Sequence, residues 1–135
     1  MSKGIYRIFF LVTILCSGSG IVAQSTTQYY HRKPQNVLTG QDALISVSMF
    51  ISDPIVSGML FFRPAGEMSY QELPMHYESG NWEGMIPGRQ VTGQDIEYVV
   101  ILHKRSWGTI SVPQSRDPFK NPLSFTIIPP VTEGG

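Results

Sequence analysis

The sequence has little charge, a single cysteine and no apolar run long enough to cross a membrane, and each shortage excludes a class of protein. Ten Lys and Arg residues balance ten Asp and Glu residues, and charged residues make up 15% of the chain, against roughly 25% in an average soluble domain. A neutral chain lacks the basic surface that nucleic acids or anionic lipids require, so we predict neither as a partner. Its 135 residues predict one domain.

The first 23 residues have the organisation of a secretory signal peptide. Lys3 and Arg7 precede the apolar run over residues 8–16, and a segment rich in small residues follows over 17–23. The apolar run is too short to span a bilayer, which needs about 20 residues. We predict cleavage after Ala23 or Gln24, export to the periplasm, the cell surface or the medium, and no membrane span in the mature chain.

Cys16, the only cysteine, lies inside this segment. A bacterial lipoprotein signal places a small residue before the modified thiol, whereas Leu15 stands there, so lipid anchoring is the less favoured alternative. We interpret Cys16 as an apolar residue that is removed with the signal. A mature chain without cysteine forms no disulfide, and its stability must come from an apolar core.

Alternation of apolar and polar residues predicts short strands over most of the mature chain. Over 43–51 every odd position is apolar, while Ser46 and Ser48 lie between them. Similar patterns predict strands within 29–37, 56–63, 69–75, 82–86, 95–103, 109–112 and 123–127. No window of 11 or more residues has a helical apolar period. The prediction is therefore an all-β sandwich of about seven strands.

Four motifs resemble the immunoglobulin-like, fibronectin type III-like modules of bacterial exported and cell-surface proteins. They are Gly40-Gln41-Asp42, Leu60-Phe61-Phe62-Arg63 with Tyr70 in the partner strand, Trp82-Glu83-Gly84-Met85-Ile86-Pro87, and Val91-Thr92-Gly93-Gln94-Asp95-Ile96-Glu97-Tyr98. The resemblance implies a seven-stranded antiparallel immunoglobulin-like β-sandwich over residues 24–129, followed by a tail or linker at 130–135. It also implies a spacer or binding role within a larger architecture.

The local sequence predicts the positions of three aromatic residues. Trp82 alternates with Gly84 and Ile86, which predicts that it lies in the core, and Tyr98 resembles the corner tyrosine that pins a crossing loop in related sandwiches. Trp107 lies at a connection beside Lys104 and Arg105. Packing on its own loop is the favoured interpretation of Trp107, and contact with a partner is the alternative.

Signatures of catalysis and of metal binding are lacking in the sequence. There is no G-x-S-x-G motif, the aspartates are not clustered, and the three histidines lack metal-ligand spacing. We interpret His31, His76 and His103 as solvated surface residues, and we predict no enzymatic activity, no cofactor and no metal. A small hydrolase would require a pocket with a histidine bonded to both an acid and a serine.

Four apolar residues are predicted on the sheet face opposite the core. If Leu60, Phe62, Tyr98 and Val100 point inward, then Met59, Phe61, Val99 and Ile101 point outward on neighbouring strands. Such a patch is a candidate partner-binding surface, together with Trp107. The alternative is that a loop, or the first strand with Tyr29 and Tyr30, covers it.

These features predict an exported, non-catalytic interaction or spacer module, acting alone or as the leading part of a larger envelope protein. The expected partner is another protein or an adjacent domain. A carbohydrate-binding module that uses Trp107 with Tyr70 or Tyr77 is the alternative, and it requires these rings to lie on one exposed face.

Export is testable by intact mass. We expect exported protein to lack residues 1–23 or 1–24, because the signal layout places the cleavage site there. Mass spectrometry of the exported protein checks this prediction. A mass that retains Met1, or one that carries a diacylglycerol on Cys16, would contradict it.

Overall fold

A computed structural model describes residues 28–51 and 53–130 and shows an all-β chain. The strands are β1 (Tyr29–His31), β2 (Val37–Leu38), β3 (Ala43–Met49), β4 (Ile55–Pro64), β5 (Gln71–Glu78), β6 (Asn81–Ile86), β7 (Ile96–Lys104), β8 (Thr109–Val112), β9 (Leu123–Phe125) and β10 (Ile127–Ile128). A 3-10 turn, Gly88–Gln90, is the only helical element of this part of the chain. The all-β prediction is confirmed.

The predicted signal peptide at 1–23 and residues 131–135 of the predicted tail lie outside the described residues. Within the described ranges, no helix has the length and apolar character needed to cross a membrane.

Eight strands form one antiparallel sheet that curls nearly into a barrel. Their order is β1-β3-β6-β5-β4-β7-β8, and β9 also pairs with β7. Strand β5 joins the two halves of the sheet, because residues 71–75 pair with β4 whereas residues 76–78 pair with β6. Pro74 lies in the half where β5 pairs on one edge only, as a residue without an N–H requires.

The first and last predicted strands are each divided in two. Between β1 and β2, Pro34 has no N–H to donate and Asn36 has a φ of 58°, so the chain cannot continue as one strand. At the other end, Leu123 and Phe125 lie in β9, whereas Ile127 lies in β10 and pairs in parallel with Val37 of β2. With these two divisions, the eight segments predicted as strands become ten strands, against seven in the predicted sandwich.

The core lies between the inner faces of the two halves of the sheet. Buried residues of β3 and β6, such as Ile45 and Trp82, belong to one cluster with Leu60 of β4 and Val100 of β7. The core position predicted for Trp82 is confirmed. Gly58 permits close packing, because a Cβ atom there would lie 2.7 Å from Leu102 Cδ2.

A hydrogen-bonded histidine connects the edge strand β1 to β7. Tyr98 is fully buried, and its hydroxyl lies 2.6 Å from His31 Nε2. His31 Nδ1 lies 2.8 Å from the Ser46 carbonyl oxygen, which can only accept, so Nδ1 donates and Nε2 accepts from Tyr98. Tyr98 therefore pins strand β1 rather than a crossing loop. The interpretation of His31 as a solvated surface residue is wrong, because the ring is half-buried between two partners.

The two ends of the near-barrel differ. At one end, which we call the closed end, β2, β10 and the 3-10 turn fill the opening with the buried residues Val37, Val91 and Ile127. Backbone hydrogen bonds from Thr39 to Ile128 and from Gly40 to Val91 hold these segments together. The other end, which we call the open end, consists of residues 49–51, 53–55, 77–82 and 104–109.

The His31 environment predicts acid sensitivity. Burial lowers the pKa of His31, Lys33 lowers it further, and the bond to the Ser46 carbonyl acts in the opposite direction. Because the fold favours the neutral ring, the unfolded chain takes up the proton first as pH falls below about 6.5, and the free energy of unfolding decreases from there. Above that pH the contribution of His31 to stability is complete.

Urea unfolding between about pH 5.5 and pH 8 checks this prediction. We expect His31→Gln to flatten the dependence of stability on pH, whereas His103→Gln, at an exposed site, leaves the slope unchanged. Parallel curves for the native protein and His31→Gln would contradict it.

Candidate functional site

The four residues of the predicted apolar patch are neighbours on β4 and β7. Met59 pairs with Ile101, and Phe61 pairs with Val99. None of the four belongs to the core cluster, so they lie on the opposite face of the sheet, as the alternation predicts. Val99 is nevertheless 0% exposed, and the other three are half-buried.

Phe119, in the connection between β8 and β9, packs on this face. The Phe119 ring packs edge to face against Phe61, with 5.0 Å between centroids, and lies 5.4 Å from the Tyr70 ring. The Tyr70 hydroxyl donates to the Phe119 carbonyl over 2.8 Å. Arg63 lies 4.1 Å above the Tyr70 ring and donates to Glu97 over 2.9 Å. Burial raises the pKa of Tyr70.

The expectation of a continuous exposed apolar patch is therefore wrong at Val99. A loop contributes to the cover, as one of the alternatives supposed, because Phe119 packs on Phe61. Binding of a partner at Met59, Phe61 or Ile101 stays a prediction. Arg63 lies over one face of the Tyr70 ring, which makes that face unavailable for stacking on a sugar.

Trp107 lies on the β7–β8 connection and is 87% exposed, so it does not pack on its own loop. The loop itself is held firmly: Lys104 donates a backbone hydrogen bond to Gly108, and Arg105 donates one to Pro54. The Ser106 hydroxyl donates to the Asp53 carboxylate over 2.5 Å. A large aromatic ring thus stands in solvent on an anchored loop of the open end.

A cavity of about 410 Å³ lies at the same open end. Its lining residues are Met49, Ile51, Asp53, Pro54, Ile55, Tyr77, Gly80 and Trp82. The walls are mainly apolar, and Asp53 is the one acidic residue among these lining residues. The Tyr77 ring is 62% exposed and packs 5.6 Å from the Trp82 ring, which closes the base of the cavity on that side.

Exposed apolar residues accumulate around this cavity. Tyr77 lines the cavity, Trp107 lies on the loop that is bonded to Asp53 and Pro54, and both side chains are more than half exposed. Exposed apolar surface gathered around a concavity is typical of a binding site. The cavity was not predicted from the sequence, because residues 49–51 and 53–55 contain no motif. These residues come together only where the ends of β3, β4 and β5 meet in the folded sheet.

One group of potential metal ligands is present among the described residues. His76, Glu78 and Glu83 have ligand atoms within 4.8 Å of one another. The sequence analysis missed this group because Glu83 comes from a neighbouring strand. His76 is also hydrogen-bonded to Glu78. Because none of the three residues lines the cavity, they do not form the pocket that a hydrolase would require.

No family model matches the chain, and no curated protein matches its sequence. The function must therefore be argued from the geometry.

The cover over β4 and β7 is testable with Phe119→Ala. We expect a loss of about 2 kcal/mol in the free energy of unfolding, less than the range for a fully buried Phe, because Phe119 is half-buried. Binding of a hydrophobic dye should increase as Phe61 and Val99 lose their cover. The exposed neighbour Lys120→Ala serves as control, and an equal loss in both variants would contradict the proposed contact.

Proposed function

We propose that the chain is an exported, non-catalytic binding module of the immunoglobulin-like type, with its binding site in the open-end cavity. Strand order supports the fold assignment: β1-β3-β6 lie side by side, and β4-β7-β8 lie side by side. In immunoglobulin-like sandwiches the strands A, B and E share one sheet and C, F and G share the other. The order here fits that arrangement, with β5 bridging the two sheets.

Export is supported by the signal layout of residues 1–23. All of residues 24–135 lack cysteine, and the described part relies on an apolar core of 18 buried residues instead. In this proposal the module works alone or as the leading part of a larger envelope protein.

The open-end cavity is the observation that carries the proposed binding role. Its volume of about 410 Å³ falls in the range of small ligand sites, and it is large enough for an aromatic or branched apolar side chain. Met49, Ile51 and Ile55 offer no hydrogen bonds, which favours an apolar group over a sugar hydroxyl. Asp53 already accepts from Ser106.

The occupant that we propose is an apolar side chain of a protein partner. Trp107 and Tyr77 flank the cavity and supply the large aromatic surfaces that dominate the energetics of protein interfaces. The partner's side chain would act as the anchor, and the exposed rings would pack on its surroundings.

Carbohydrate binding is the second candidate, and it is supported by the same two rings. Trp107 and Tyr77 are both largely exposed and both lie at the open end, so they remain available for stacking, whereas Arg63 lies over one face of Tyr70. In this case the rings would carry the binding and the cavity would contribute little.

Backbone NMR titration separates the two candidates. We use N-acetyl-tryptophanamide as a probe for an apolar side chain and cellohexaose as a probe for a polysaccharide. If the cavity binds an apolar side chain, N-acetyl-tryptophanamide should shift the backbone signals of residues 49–51, 53–55 and 77–82. Ile51→Lys should weaken the binding of this probe more than about tenfold. Leu44→Lys is the matched control, because Leu44 is an exposed apolar residue of β3 that lies outside the cavity.

Each outcome decides between the candidates. The carbohydrate alternative predicts that cellohexaose shifts the signals of Trp107 and Tyr77. It also predicts that Trp107→Ala abolishes these shifts. Absence of shifts with both probes would overturn the open-end cavity as the binding site.

A further inference from the structure

Three potential metal ligands gather on the outer face of the β5–β6 hairpin. His76 lies directly opposite Glu83 in the strand register, and Glu78 is two residues further along β5 on the same face. His76 Nε2 lies 3.2 Å from Glu78 Oε2, and the ligand atoms of all three residues lie within 4.8 Å of one another. Strand pairing, rather than a long loop, therefore places the three side chains together.

The spacing of these atoms suits a small cation. Zn²⁺ binds His nitrogen and carboxylate oxygen at about 2.0–2.2 Å with tetrahedral geometry, which places neighbouring ligand atoms about 3.4 Å apart. The His76–Glu78 separation of 3.2 Å is already close to that value. Glu83 reaches it by a change of side-chain rotamer, for which its partly exposed position leaves room.

The charge of the cluster also favours a cation. Two carboxylates lie beside one imidazole, and neither Glu78 nor Glu83 forms an ion pair with a Lys or Arg residue within the described ranges. Their mutual repulsion is uncompensated by any fixed basic side chain there. A bound dication would replace this repulsion by attraction to both carboxylates.

The hairpin turn keeps the cluster in register. Ser79 and Gly80 join β5 to β6 directly, and both have positive φ, 52° and 88°, as a two-residue type I′ turn requires. A short turn of this kind leaves no room for slippage between His76 and Glu83. The backbone positions of the three ligands are thus fixed before a metal arrives, which reduces the entropy lost on binding.

We propose that His76, Glu78 and Glu83 bind one divalent transition-metal ion, with Zn²⁺ as the preferred ion. A histidine in the set favours Zn²⁺ over Mg²⁺ or Ca²⁺, which take oxygen ligands. Three protein ligands leave the fourth tetrahedral position to water. The site is independent of the cavity, because Trp82 lines the cavity and belongs to the core, whereas its neighbour Glu83 lies on the outer face.

Calorimetric titration of ZnCl₂ into purified protein without a polyhistidine tag tests the proposal. We expect one Zn²⁺ per chain and a higher melting temperature in its presence. His76→Gln and Glu83→Gln should each weaken binding at least about tenfold, since even the loss of a residue that only supports a ligand costs that much.

Two matched variants control for non-specific binding. His103→Gln removes another exposed histidine, and Glu72→Gln removes another exposed carboxylate of β5; neither residue belongs to the cluster. Both should retain the affinity and the stoichiometry of the native protein. Three results would overturn the proposal. The first is that the protein binds no Zn²⁺, the second is that it binds several ions with an affinity that no variant changes, and the third is that the control variants lose as much Zn²⁺ affinity as the ligand variants.

Discussion

The fold depends on the burial of β7 on both of its faces. On the inner face Tyr98, Val100 and Leu102 are fully buried in the core, and on the outer face Val99 is equally buried. Both edges of the strand are also occupied, one by β4 and the other by β9 and β8. A strand enclosed on four sides must be apolar throughout its middle, and it organises every other element around it.

The alternation of residues made most strands predictable, because one half of the sheet buries one face only. In β3 and β6 the buried positions alternate strictly with more exposed ones. The double burial of β7 is visible in the sequence, but the loop that contributes to the cover is not. Residues 113–122 contain prolines and no apolar period, and Phe119 finds Phe61 and Tyr70 only in the folded chain.

Long-range polar contacts were equally hidden from sequence reasoning. His31 precedes Tyr98 by 67 residues, and only the return of β1 alongside β3 brings the two within hydrogen-bond distance. The same holds for Glu83 and His76, whose proximity depends on a register that a one-residue slip would destroy. Trp107 was not placed correctly either: its local sequence favoured packing on its own loop, whereas the ring is 87% exposed.

The difference between the two ends of the near-barrel explains where binding can take place. At the closed end, Asp42 accepts from the backbone N–H of Gly88 over 2.6 Å, and a Cβ atom on Gly88 would collide with Gly40. Backbone packed this tightly leaves no space between Gly40 and Gly88. At the open end the connections are anchored by the Asp53–Ser106 bond instead, which holds the rim in place without filling the interior. In the proposed binding role, a rim fixed in this way keeps the cavity formed in the free protein, and such preorganisation lowers the entropic cost of binding.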